Sequence, residues 1–244
     1  MSHNTWIWGT HAVSAALKKR PNQVNKIVMT EQFRQKFADM LSCNEIQSNT
    51  LFKKAKPEIT TNQKMDQAFG RNHQGIAISI SQINFWKLDQ WMEKQSIKST
   101  IIACDLIEDP HNLGAIIRTA AAFKVNGVLV TKDKQAPFEG TLAKSAAGGI
   151  EHIPIVQVVN LSTALKVLQK NFYTVFGLDE RGGTKWPICD RNVIVMGQEG
   201  KGLRDLTRKC CDELISIDTN KEFPTLNVSV AAAIAISRFV DASK

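Results

Sequence analysis

From residue 101 onward, short apolar runs recur with amphipathic stretches between them. "IIACD" (101–105), "GVLVT" (127–131), "IPIVQ" (153–157), "FYTVFG" (172–177), "NVIVMG" (192–197) and "ELISI" (213–217) have the length and β-branched content of buried strands. Helical spacing fills the gaps at 113–124, 139–147, 161–170 and 226–240. Such alternation predicts an α/β fold, a mostly parallel sheet flanked by helices, in which ligands gather at the carboxyl ends of the strands.

The first 80 residues follow another rhythm. "THAVSAALKKR" (10–20) predicts a helix with apolar positions 13, 16 and 17 and a basic end, and "NKIVMT" (25–30) a strand. "RQKFADMLSCN" suits a second helix and "QGIAISI" (74–80) a second strand, so residues 1–80 read as a small mixed α/β domain. Over 81–97 the pattern weakens and polar residues accumulate, which predicts a linker with one short helix before a larger domain at 98–244. A length of 244 residues accommodates that division.

Composition narrows the class. Hydrophobic residues make up 43% and charged residues 22%, and no apolar run approaches the roughly 18 residues of a membrane span. "MSHNTWIWGTHAV" lacks the basic start and apolar core of a secretory signal, so a cytoplasmic location is expected. The five cysteines show no C-x-x-C and the five histidines no H-E-x-x-H, and no metal site is expected. The net charge of +8 is uneven: residues 1–97 hold 13 basic and 7 acidic side chains, net +6, and residues 98–244 hold 18 and 16, net +2. A phosphate-rich partner would be drawn to the first segment, although charge alone suits a merely basic protein equally well.

Three strand ends carry candidate chemistry. After "IIACD", either Asp109 or Asn112 caps a helix in which Leu113, Ile116, Ile117, Ala120 and Ala121 form the buried stripe. Arg118 falls off that stripe, on the face of Gly114 and His111, and its planar fork suits a phosphate or a carboxylate. After "NVIVMG", the order G-x-x-G-x-G in "GQEGKGL" matches neither the dinucleotide fingerprint nor a P-loop; Glu199 either bonds a ligand or is solvated. After "ELISI", either Asn227 or Thr225 caps an alanine-rich helix able to approach a neighbour closely.

Taken in this order, the three motifs resemble the SpoU (TrmH-like) family of S-adenosylmethionine-dependent RNA ribose 2'-O-methyltransferases, over nearly the whole chain. "DPHNLGAIIRTA" places the family's functional asparagine and arginine on Asn112 and Arg118, and "IVMGQEGKGL" places its glutamate on Glu199. "TLNVSVAAAI" supplies Thr225, Leu226 and Asn227. The resemblance implies catalytic roles for Arg118, Asn112, Glu199, Asn227 and Thr225, and an S-adenosyl-L-methionine site at Gly197, Gly200, Ile217 and Leu226, with no metal. "GTHAV" (Gly9 to Val13) and "HQGI" (His73 to Ile76) are similar to the branch that modifies guanosines of large-subunit (23S) ribosomal RNA.

That branch implies an RNA substrate-binding domain at 1–80 and a SPOUT methyltransferase domain with a deep trefoil knot, working as a homodimer on ribosomal RNA. One loop departs from the family: where Ile-Pro-Met and a glycine are usual, this chain has Ile217-Asp218-Thr219-Asn220-Lys221, without the proline that fixes φ. Two other readings use the same fold, a transfer-RNA ribose methyltransferase and a non-catalytic RNA-binding or ribosome-assembly protein.

Overall fold

The computed structural model describes residues 4–43, 55–187, 189–220 and 222–242. It divides into two units, Met1–Asn84 with Pro137–Glu151, and Phe85–Ala136 with His152–Lys244.

The first unit is built on a four-stranded sheet in the order β1 (Asn4–Trp8), β4 (Ile76–Ser81), β2 (Val24–Thr30), β3 (Pro57–Thr60). β4 runs antiparallel to β1 and β2, and β3 runs parallel to β2. Ile7 and Ile27 both lie in register with Ile78, so three buried isoleucines form a row across the sheet. The helix Thr10–Lys19 covers this row with Val13, Ala16 and Leu17, and the helix Arg34–Cys43 adds Phe37, Met40 and Leu41 to the same core. Burial of these side chains supplies the unit's main stabilisation.

The inserted segment belongs to this unit's core. Its helix, Gly140–Ser145, contributes Ala143, and Gly140 lies so close to Trp8 that a Cβ there would stand 1.7 Å from the ring. At the end of the segment Glu151 accepts two bonds from Arg20, Nε to Oε2 at 2.8 Å and Nη2 to Oε1 at 2.6 Å. A largely desolvated fork of this kind contributes geometry as much as energy. The helix expected at 139–147 is thus present, but packs with the N-terminal residues rather than with its neighbours in sequence.

The second unit holds a six-stranded sheet in the order β10 (Glu213–Ile215), β8 (Thr174–Gly183), β9 (Arg191–Met196), β5 (Ser99–Cys104), β6 (Gly127–Thr131), β7 (Ile155–Val158). Every pairing in it is parallel, as the alternating pattern predicts. Leaving β5 the chain builds β6 and β7 on one side; β8, β9 and β10 follow on the other, and β9 inserts directly beside β5. The strand order therefore reverses at β5, and the crevice of an open parallel sheet lies at the carboxyl ends there.

The stretch expected as a linker does contain one short helix, Leu88–Met92, and residues from Phe85 on pack into the second unit. Trp86 exchanges backbone bonds with Ile155 and Gln157, and Trp91 is buried with its Nε1–H donating to the carbonyl of Asn126 at 3.0 Å. One buried indole outweighs the polar residues around it. Among the described residues no helix is long and apolar enough to cross a membrane.

Candidate functional site

β5 and β9 end side by side, at Cys104 and Met196, and the residues just beyond them form the site. After β5 the chain turns through Leu106, whose φ is +60°, and enters the helix Pro110–Ala122. Asp109 is the residue that caps it, accepting from the backbone N–H of His111 at 2.9 Å, with Pro110 in the first turn. Leu113, Ile116, Ile117 and Ala120 are buried as the stripe predicts, while Asn112 is buried too and faces the crevice.

After β9 the loop "GQEGKGL" closes on itself. Gln198 and Gly202 exchange two backbone bonds, which puts Glu199 and Gly200 at the tip, Gly200 with a φ of +72°. Gly197 has no room for a side chain: a Cβ would stand 2.3 Å from the backbone of Gly202. The loop is fastened to β5 by Arg204, which donates from Nε to Asp105 Oδ1 at 2.7 Å and from its backbone N–H to Oδ2 at 3.1 Å. Asp105 is completely buried, so this pair ties the two strand ends together at the base of the site. The neighbouring Cys104 thiol is pushed up to about 12 by its burial and then by the charge of Asp105.

The third motif meets the first two at Asn227. Its Nδ2 donates to Asn112 Oδ1 and to Glu199 Oε1, both at 2.9 Å. Its Oδ1 accepts from the Ser229 backbone N–H at 2.8 Å, which caps the helix Val228–Ala242. Asn227, not Thr225, is therefore the capping residue, and the same amide orients Asn112 and Glu199.

A cavity of about 270 Å³ opens beside this trio, lined by Leu106, Glu108, Asp109, Asn112, Gln198 and Glu199 among others. Gln198 Nε2 donates to Glu108 Oε1 at 3.1 Å across it. Three carboxylates against the single Lys201 favour a ligand that carries positive charge.

Of the residues named from sequence, Asn112, Glu199 and Asn227 are brought together here. Arg118 is exposed on the outer face of its helix, one residue past the buried pair Ile116 and Ile117, and is not part of the cavity wall. Gly197 and Gly200 shape the loop, whereas Thr225 and Leu226 are exposed on the segment leading to Asn227. Ile217 is half-buried just beyond β10, where Ser216 bonds to Gly182 and Gly183.

In the departing loop, Asn220 makes turn bonds although the proline is missing. Asn220 Oδ1 accepts from the Glu222 N–H at 3.0 Å and its carbonyl from the Phe223 N–H at 3.1 Å; Lys221 lies outside the described residues. Gln198, Glu108, Asp105 and Arg204 were not singled out from sequence. The signal for the last two was an aspartate ending a strand and an arginine ending a glycine loop, which acquire meaning only when the strands adjoin.

Comparison with known proteins bears on the family and the fold. Residues 99–237 match the SpoU rRNA Methylase family, and residues 6–86 match a model described as RNA 2'-O ribose methyltransferase substrate binding. An uncharacterized tRNA/rRNA methyltransferase of Synechocystis is 37% identical over 94% of this chain, which spans 60% of that relative's length. A protein assigned to the TrmH family of tRNA/rRNA methyltransferases in Staphylococcus aureus is 33% identical over 95% of this chain and 93% of its own. The fold is that of the SpoU methyltransferase AviRb of Streptomyces viridochromogenes, solved in complex with AdoMet, with a TM-score of 0.77 at 18% identity over 98% of this chain and 89% of that one. Matched over more than half its length, and with relatives above 30% identity, the chain belongs to the SpoU rRNA Methylase family.

Proposed function

We propose that the chain transfers a methyl group from S-adenosyl-L-methionine to a ribose 2'-hydroxyl of RNA, and that its target is a guanosine of 23S ribosomal RNA. The observation that carries the reaction is the Asn112–Asn227–Glu199 network beside an acid-lined cavity at the ends of β5 and β9. The cofactor, when bound, supplies an electrophilic methyl on a positively charged sulfur. The carboxylates of Glu108, Asp109 and Glu199 in the cavity wall suit that charge, and Gly197, Gly200, Ile217 and Leu226, which lie outside that wall, would hold the molecule through backbone groups on the strength of the motif resemblance alone. Glu199 and Asn227, fixed by their mutual bond, orient the ribose together with Thr225.

Arg118 clamps the phosphate that flanks the target nucleotide. A guanidinium offers five donors and no acceptor, so it steadies developing negative charge rather than taking the hydroxyl proton. That proton leaves to the phosphate or to water. The ribosomal target is supported by "GTHAV" and "HQGI" and by the positive charge of residues 1–97. Roles follow for the domains: RNA binding for 1–80 and methyl transfer for 98–244, the latter knotted at its C-terminal side. Exposed Phe223, Leu226 and Val230 at the entry to the last helix support a homodimer, and a cytoplasmic location is part of the same proposal.

Methyl transfer from labelled S-adenosylmethionine to unmodified 23S ribosomal RNA, with transfer RNA alongside, tests the proposal. Label in the ribosomal RNA ribose, lost with Arg118→Ala, is the expected result. Label in transfer RNA alone would move the substrate to the second class. Absence of both labelling and cofactor binding would make the chain an RNA-binding module on this fold.

A further inference from the structure

The first unit has a cavity of its own, of about 520 Å³, walled by Gln32, Phe33, Asn62, Asp66, Arg71 and His73 among others. That volume accommodates a nucleobase with its ribose. One wall is rigidly set. The His73 ring is buried, its Nδ1 accepts from the Gly75 N–H at 2.8 Å, and its Nε2–H therefore donates to Asp66 Oδ1 at 3.1 Å. Gly75, with a φ of +82°, and Gln74, at +58°, form the turn that this bond closes. Asp66 is thereby oriented while its side chain stays 41% exposed at the cavity. A carboxylate has about four acceptor positions, and His73 uses one.

An acidic side chain here runs against its surroundings. Residues 1–84 and 137–151 carry 12 lysines and arginines against 7 aspartates and glutamates, a balance suited to a phosphate backbone. Asp66 would repel a phosphate, so within an RNA-binding unit it fits a base edge instead. Guanine is the base whose Watson–Crick edge offers two adjacent donors, N1–H and the N2 amino group, to match the two oxygens of a carboxylate. Adenine and cytosine offer one amino donor beside an acceptor, and uracil one imino donor between two acceptors. Arg71, on the same wall, supplies a cation for the adjoining phosphate. RNA read in this way is single-stranded, with the base splayed from its neighbours.

We propose that this cavity takes one unpaired guanosine of the RNA substrate, with Asp66 accepting from guanine N1–H and N2–H and Arg71 holding the adjoining phosphate. The proposal rests on the reading of the chain as an RNA-modifying enzyme and adds the feature by which the RNA is chosen. The test uses the full chain and fluorescein-labelled nine-residue oligouridine, unchanged or with its central residue replaced by guanosine, inosine, adenosine or cytidine, in fluorescence-anisotropy titrations. The guanosine oligonucleotide is expected to bind about tenfold tighter than oligouridine, with inosine, which lacks the amino group, in between.

Asp66→Asn keeps an oxygen for His73 and should abolish the guanosine preference, read as the ratio of guanosine to oligouridine affinity, while affinity for oligouridine does not fall and the unfolding temperature is kept. Asp66→Ala should abolish the preference as well, with a lower unfolding temperature because the buried His73 ring loses its partner. Arg71→Ala should weaken all five oligonucleotides equally. Equal affinities in the native protein, no detectable binding of the guanosine oligonucleotide, or a preference that survives Asp66→Asn would each overturn the assignment. Methyl-transfer activity is read separately. A guanosine preference without transfer would leave this site standing and remove the proposed reaction, and transfer without the preference would do the reverse.

Discussion

The turn beside the first unit's larger cavity and the turn beside the site at β5 and β9 are held by different means. In the first unit the "HQG" turn is secured chiefly by hydrogen bonds from backbone N–H groups to side chains: the Gly75 N–H donates to the His73 ring, and Gln74 Oε1 accepts from the Thr10 N–H at 2.9 Å, standing in for a side-chain cap that Gly9 cannot provide. "GTHAV" and "HQGI" thus meet in space, each completing the other. In the second unit the glycine loop after β9 is fastened by an ion pair, Arg204 on the fully buried Asp105. Losing the exposed Gln74–Thr10 bond costs little, because water compensates there. Losing the partner of a buried charge costs its desolvation.

That difference can be broken at its strongest point first. Arg204→Ala leaves the buried Asp105 carboxylate with only the backbone N–H, and should destabilise the second unit by about 3–5 kcal/mol in urea unfolding. Asp105→Ala should cost less, since the Arg204 side chain is already 45% exposed and can turn to water. Equal losses would contradict the account. Gly197→Ala forces a Cβ into the backbone of Gly202 and should cost about 1–3 kcal/mol, with cofactor affinity falling at least tenfold in calorimetry. In the first unit, Gln74→Ala removes one cap bond and should cost only about 1 kcal/mol by thermal unfolding.

The mildest probe leaves stability untouched. With its thiol pushed up to about 12 by burial and by Asp105, Cys104 should resist iodoacetamide at pH 8 in the folded protein, whereas exposed Cys43 reacts. Mass spectrometry of the peptides reads this directly. Rapid labelling of Cys104 would mean that the base of the site opens in solution.

The same contrast explains what could be read from sequence. β6 at Gly127–Thr131 and the helix Leu161–Lys170 appear as their patterns predict, because each buries a face whose periodicity is written in adjacent residues. β1 was hidden by its length of five residues, with Trp6 and Trp8 on one face and Ile7 on the other, and β3 by a proline and a glutamate that look like a loop. The linker reading gave way to a single Trp91. At the site, the choice between Asp109 and Asn112, and between Thr225 and Asn227, turns on contacts that spacing does not encode. Asn227 reaches Asn112 across 115 residues and Arg204 reaches Asp105 across 99; the motifs named the first pair without saying that its members would touch, and did not name the second. Arg118 lies off the buried stripe, as its spacing implies, and its position alone does not assign it a task.

The proposed site turns on Asn227, which bonds Asn112 and Glu199 at once and so sets the glycine loop beside the cavity where the cofactor is proposed to bind. Isothermal titration of S-adenosylmethionine into the native chain and into Asn227→Ala, with thermal unfolding of both as the control for the lost helix cap, tests it most directly. The account predicts binding by the native chain and affinity at least tenfold weaker in the variant while it remains folded. Binding of equal strength in both, or none in the native chain, would contradict it.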